Sequence, residues 1–233
     1  MQTNSSELTK KFTLAYELSR EGQAKTAYQI WEQLSKIQIE DSADFKKEDF
    51  IAQVNLYKAW TLMDLNAFRE AVVVLESMFR KDSTENFTKD VQFDYYFSFA
   101  NSAGEIAEKE KMESAFVEAM KVAKEQSNTA KIRKCWLNLL FYAELNGWWK
   151  YLEQAARTCI VFAESSNDVK LGLSAGLRRA RALVSLGKTK RAEIQAKRII
   201  QVALQFKEND ALEQAQEFLN SLEEPELPPD RIQ

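Results

Sequence analysis

The chain has 233 residues, 45% hydrophobic and 29% charged, with 32 basic and 35 acidic side chains and a formal net charge of −3. It has no histidine, and its three prolines (Pro225, Pro228, Pro229) all fall in the last nine positions. These counts remove the commonest general base and metal ligand, give no basic excess for nucleic acid, and leave the first 224 residues without the strongest helix breaker. Alanine (27) and leucine (23) dominate and glycine occurs six times, a composition that favours helix throughout.

Taken in chain order, apolar-periodic segments alternate with short polar breaks. The first tight break is EGQ (21–23), followed by the looser IEDSADFKKED (39–49). DLNAF (64–68) and KDSTENFTKD (81–90) repeat that pair, then come EKEK (108–111) and QSNTA (126–130). LNGW (145–148) with SSND (165–168), and finally LGKT (186–189), complete five helix–turn–helix units. Asn209 to Leu222 reads as a last helix. Residues 223–233, acidic and proline-bearing, read as a disordered tail outside a single domain at 6–222. Serine, threonine, asparagine and aspartate in the breaks compete for backbone hydrogen bonds, ending one helix and capping the next. Gly22, Asn66, Gly147 and Gly187 suit the left-handed residue at a sharp reversal.

Aligning the tight turns on Gly22, Asn66, Glu110, Gly147 and Gly187 gives separations of 44, 44, 37 and 40 residues. Seven residues before each stands Ala15, Ala59, Ala103, Leu140 or Ala180, and five after stands Ala27, Ala71, Ala115, Leu152 or Ala192. Small residues at fixed places let paired helices approach closely, while larger ones fill the gaps between pairs. Such patterning is also compatible with an ordinary helical bundle. The run A-x-x-L-x-x-x-G-x-x-x-x-A-x-x-x-W-x-x-L from Ala15 to Leu34 resembles a tetratricopeptide repeat, and Ala59 to Met78 nearly repeats it. Trp136 and Trp149 add the aromatics such repeats carry in the first helix and after the turn. The resemblance spans residues 8 to 207. It departs from the family in its longer period, in lacking a proline at each repeat's close, and in having Leu152 where a small residue is expected. Long periods resemble the versions in kinesin light chains, spindle-orientation adaptors and bacterial peptide-sensing regulators.

The resemblance implies an all-α, right-handed TPR-like superhelix of five hairpins and a capping helix, with its concave wall built from the first helix of each pair. On those helices a stripe at i, i+4, i+7, i+11 avoids the packing positions. It carries Tyr16 in the first pair, Tyr57 and Trp60 in the second, and Asn101 in the third. Lys134, Asn138 and Phe141 follow in the fourth, and Arg178 and Arg181 in the fifth. Rigid aromatics suit interface anchors. Asn101 and Asn138 occupy equivalent places in this register, and an asparagine there grips the backbone of an extended peptide in the family, donating to C=O and accepting from N–H. Lys134, Arg178 and Arg181 would take acidic groups at the far end. The family's carboxylate clamp for chaperone tails is not reproduced, because Phe12 and Tyr16 stand where Lys and Asn would. The same aromatics could instead pack between repeats.

Trp148 is expected to point outward at a hairpin tip. Five aromatics between Phe93 and Phe99 cannot all lie on one helix face, so either feature could support a homo-oligomer. Cys135 and Cys159 lack disulfide or metal spacing and read as small core residues of a reducing, cytoplasmic compartment. The basic run from Arg178 to Arg198 has Glu193 inside it and no interleaved aromatics, so it reads as a solvated surface rather than a nucleic-acid site. No apolar run approaches a membrane span. With no phosphate loop, nucleophile motif or paired cysteines, the expectation is a protein without enzymatic activity or cofactor. Its function would be to bind a protein or extended peptide as a scaffold, adaptor or chaperone-like module. A peptide- or ligand-sensing regulator and a self-assembling scaffold are the alternatives.

Overall fold

A computed structural model describes residues 5–37, 47–79 and 87–223. Among them are eleven helices and no strand. They are α1 (Ser5–Arg20), α2 (Ala24–Leu34), α3 (Lys47–Asp64), α4 (Phe68–Phe79), α5 (Lys89–Glu105), α6 (Lys109–Glu125), α7 (Thr129–Leu145), α8 (Trp149–Ser165), α9 (Val169–Ser185), α10 (Thr189–Phe206) and α11 (Asn209–Glu223). Five helix pairs and a final helix match the expectation from sequence. Most of the breaks expected at 39–49 and 81–90, and the tail beyond Glu223 with its prolines, lie outside the described residues.

Two compact units divide at Cys135 and Trp136, and α7 runs across the division. In the first unit, consecutive helices α1 to α6 pack in series, and the first helices α1, α3 and α5 also touch one another side by side. In the second, α8 packs on α9, α9 on α10, α10 on α11, and α9 meets α11. Contacts confined to next and next-but-one helices are the mark of a repeat array, in which each pair buries its face against its neighbours.

Close approach comes from alanine. Ala15, Ala27, Ala59 and Ala71 are fully buried in the first unit, as are Ala143, Ala180, Ala192 and Ala196 in the second. Around these backbones the larger residues close the gaps. Trp31, Leu34, Leu8 and Val54 form one core cluster, flanked by Phe12, Phe50 and Tyr57. Leu173, Leu177, Ile199 and Ala203 form another, sealed by Ala215 of α11.

Every described reversal uses the same backbone device. A left-handed residue ends the helix, and the next N–H reaches back to a carbonyl in the last turn, a Schellman closure. Glu108 N–H donates to Ala103 O at 2.9 Å, Trp148 N–H to Ala143 O at 2.9 Å, and Lys188 N–H to Leu183 O at 2.8 Å. The left-handed residues are Gly22, Asn66, Ala107, Ser127, Gly147, Asn167, Gly187 and Lys207. From Ala107 onward they recur every twenty residues, and α5 to α9 have seventeen residues each.

The third turn thus falls at Ala107 (φ 60°), not at the expected Glu110. EKEK looked like the break because it is polar, but alanine in a left-handed turn leaves no compositional signal. The true separations are 44, 41, 40 and 40 residues. Three-residue realignment puts Ala100, not Ala103, at the close-packed position of α5, and Met112, not Ala115, at that of α6. Both residues are completely buried.

Candidate functional site

On the first unit, α1, α3 and α5 present their stripe residues side by side. Ser19 and Thr61 hydroxyls meet at 3.3 Å and tie α1 to α3, while Thr61 Oγ1 also donates to Tyr57 O at 2.9 Å. The next residues outward are aromatic. Tyr16 stands edge-on to Tyr57 at 5.6 Å, and Tyr57 edge-on to Trp60 at 4.9 Å. Beneath them, Tyr57 stacks on fully buried Trp31 at 5.5 Å and meets Phe12 at 5.4 Å. Tyr57 is therefore half core and half surface. Burial, with the charges of Tyr16 and Asp94, raises its hydroxyl pKa, so it remains a neutral donor. Tyr16 at 38% exposure is the free end of the row.

The row continues onto α5. Trp60 Nε1–H donates to Ser98 Oγ at 2.6 Å, fixing the indole against the third pair. One turn further along α5, the Asn101 side chain is 9% exposed, and its Oδ1 is enclosed without a hydrogen-bond partner. An unsatisfied buried carboxamide oxygen costs roughly 1–3 kcal/mol, so it calls for an explanation. Lys134 holds its ammonium 4.2 Å from the Phe97 ring centroid, a cation–π contact. Asp94, on the same face of α5, has its carboxyl pKa raised by burial against the opposing pull of Lys131 and Lys134.

The realigned register changes what Asn101 is. It occupies the place of Trp60 in the second pair, whereas Ser98 occupies the place of Tyr57. Asn138 in the fourth pair corresponds to Ser98 and not to Asn101, so the expected asparagine pair at equivalent positions does not exist. Asp94 and Ser98, rather than Phe97 and Gly104, belong to the α5 stripe. Phe97 and Gly104 are buried.

On the second unit, Asn138 is half-buried on α7 and Phe141 stands 44% exposed beside Tyr142, with ring centroids 5.2 Å apart. Arg178 and Arg181 converge on one carboxylate. Arg178 Nε donates to Glu144 Oε2 and Arg181 NH1 to Glu144 Oε1, both at 3.1 Å, and Arg178 NH1 reaches Ser174 Oγ at 2.7 Å. Two guanidiniums on one glutamate leave a single surplus positive charge. They line a hollow of about 310 Å³ between α9 and α11, with Leu173, Leu177 and Gln214. The sequence reading identified the arginines and missed Glu144, because its partnership spans 34 residues.

Other expectations resolve differently. Phe93, Tyr95, Phe97 and Phe99 are all buried and Tyr96 is half-buried, so this run offers no exposed patch for a second copy. The error was to assume one buried face. α5 is enclosed on nearly all sides, and Tyr95 O–H even finds Leu75 O at 2.9 Å. Trp148 begins α8 half-buried rather than projecting freely. Cys135 and Cys159 are buried thiols pushed up to about 12 by desolvation, as suits core residues. In the basic run, Arg179 pairs with Glu153, Lys197 with Glu193 and Arg198 with Glu164, so its charge is largely answered from within. Among the described residues no helix is long and apolar enough to cross a membrane.

No family model and no curated protein matches this chain. Solved structures do. An array of nearly identical TPR-like repeats of kinesin light chain type from Podosopora anserina superposes with a TM-score of 0.62 at 14% identity, over 88% of this chain and 99% of that one. BtubC (BKLC) from P. vanneervenii gives 0.57 at 13% identity, over 87% and 82%. The apo form of RapI gives 0.59 at 12% identity, over 93% and 70%. At these identities the likeness shows the fold, which is that of TPR-like helical repeats.

Proposed function

We propose that this protein is a cytoplasmic, non-enzymatic interaction module that binds extended polypeptide through the exposed faces of its first helices. Residues 6–222 would act as one domain and 223–233 as its tail. The single observation that carries the reading is the row Tyr16–Tyr57–Trp60–Ser98–Asn101. Three aromatics are held by their neighbours in fixed orientations, and the row ends at an enclosed carboxamide whose oxygen lacks a donor. Preorganised aromatic area binds at little entropic cost. A peptide N–H brought to Asn101, with a modest rotation of its amide, supplies the missing donor. In the second unit, Phe141 and Asn138 offer the same chemistry. Arg178 and Arg181, with their surplus charge, favour an acidic side chain, and Lys134 adds a cation in the first unit.

The test is selection of a random-peptide display library on the full chain, followed by fluorescence anisotropy with the recovered peptides. Trp60→Ala should weaken binding by tenfold or more, since aromatic anchors carry most interface energy (about 2 kcal/mol or more each). Asn101→Ala should weaken it several-fold, and Arg181→Glu should discriminate against acidic peptides. Recovery of no peptide, or equal affinity for all three variants, refutes the reading.

A further inference from the structure

A second concavity lies away from these stripes. Between α8, α9 and α10 is a cavity of about 300 Å³ whose walls are Ile160, Ala163, Leu173, Ile199, Val202 and Phe206. Its origin is legible in the repeat register. Gly172 on α9 stands fifteen residues before the left-handed Gly187, and the residues fifteen before Asn66, Ala107 and Gly147 are Ile51, Gln92 and Ile132. Gln92 and Ile132 are buried and Ile51 half-buried, so in the other pairs a large side chain fills this place. In the fifth pair nothing does.

Packing does not explain the glycine. A Cβ at Gly172 would meet only the Ala163 methyl, at an ordinary 3.5 Å. The contrast is Gly176, one turn on, where a Cβ would press on Ile199 Cγ1 and Gln195 Nε2 at 3.1 Å, so close contact with α10 demands its absence. Glycine in a helix interior is unfavourable relative to alanine, and at Gly172 the only visible return is open space. An apolar chamber of this size, open at one side and carrying a few polar groups at the rim, is the common form of a small-molecule site. It also exceeds what one protein side chain fills.

The rim sets the sign of charge. Glu164 and Asp168 face it with one cation, Arg198, whose NH2 bonds Glu164 Oε1 at 3.0 Å. Asp168 Oδ1 accepts the Leu171 N–H at 3.0 Å as the cap of α9, so it stays a carboxylate. Two acidic groups against one basic group repel an anion. We propose that this cavity is a binding site for a ring-sized apolar organic molecule of neutral or positive charge, an aryl or arylalkylamine framework rather than an arylcarboxylate.

Ligand-observed NMR titration of the full chain with indole, 2-phenylethylamine and phenylacetate tests it. Saturable binding of the first two, with Kd on the order of 1 mM or tighter as befits nine or so heavy atoms, is expected, and phenylacetate should bind at least several-fold more weakly. Gly172→Ile restores the side chain found in the other pairs and should abolish indole binding while keeping the helical circular dichroism. If that variant loses its helical signal, Val202→Phe plugs the chamber from the α10 wall and is read the same way. No saturable binding of indole or 2-phenylethylamine, undiminished binding in a folded plug variant, or tighter binding of phenylacetate overturns the proposal.

Discussion

Glu32 joins the first two hairpins, and its removal gives the sharpest test of how they are held. It lies on α2 with its carboxylate accepting from Lys36, one turn on, at 2.5 Å, and from Lys58 across on α3. Hydrogen bonds from these two ammonium groups outweigh desolvation and hold the Glu32 carboxyl down to about 2. Its ordinary value in an unfolded chain is about 4.3, and at about 1.4 kcal/mol per pH unit the depression corresponds to ~3 kcal/mol. With the Glu32 side chain 31% exposed, water screens both pairs, and ~1–2 kcal/mol is the expected stabilisation. A depressed carboxylate contributes fully above its unfolded pKa and loses that contribution as pH falls through its folded pKa. Glu32→Gln should therefore be ~1–2 kcal/mol less stable than wild type in urea unfolding at pH 7, and the gap should close between about pH 4.5 and pH 2. Most of the effect belongs to Lys58, whose side chain is 13% exposed against 71% for Lys36, so Lys58→Met should cost more than Lys36→Met. Equal stability of Glu32→Gln and wild type at pH 7, or a gap that persists at pH 2, would refute the reasoning.

Trp31→Ala should cost ~3–5 kcal/mol, because the indole is wholly buried and stacked on Tyr57; a loss under 1 kcal/mol in urea titration would mean the first hairpin is not cooperatively packed. Gly172→Ala should raise the melting temperature, by the ~0.5–1 kcal/mol that a helical glycine forgoes. Gly176→Ala should lower it or leave it unchanged, since its Cβ meets Ile199 and Gln195 at 3.1 Å; the reverse order would refute the packing assigned to α9 and α10. Cys135 and Cys159, with thiols pushed up to about 12, should not react with maleimide at pH 8 while the chain is folded, and their labelling should track the urea unfolding curve.

The helices were legible because their signals are local. Excluded proline, alanine at the close approaches and glycine or asparagine at four of the five tight turns sit in adjacent residues. The site was less so, because its chemistry depends on pairs far apart in the chain. Trp60 and Ser98 are 38 residues apart, and Arg178 and Glu144 are 34 apart. Neither member of such a pair reveals from its own surroundings whether it is satisfied. A basic stripe read from Arg178 and Arg181 alone overstates the charge that a ligand would meet, since Glu144 cancels half of it.

The misplaced third turn shows how a register error and a correct residue can coexist. A slip of three residues rotates an α-helix by about 300°, which is 60° short of a full turn, so a stripe about 100° wide overlaps its displaced copy. Asn101 lies in that overlap and remains on the face toward Trp60 and Ser98, while Phe97 and Gly104 fall outside it and into the interior. Its supposed equivalence to Asn138 is lost, because equivalence depends on position along the axis as well as angle around it. The twenty-residue recurrence of left-handed residues from Ala107 to Lys207 fixes both coordinates at once. That same recurrence turns Gly172 from one more helix glycine into a deletion, measured against Ile51, Gln92 and Ile132, and so separates an opened cavity from incidental loose packing.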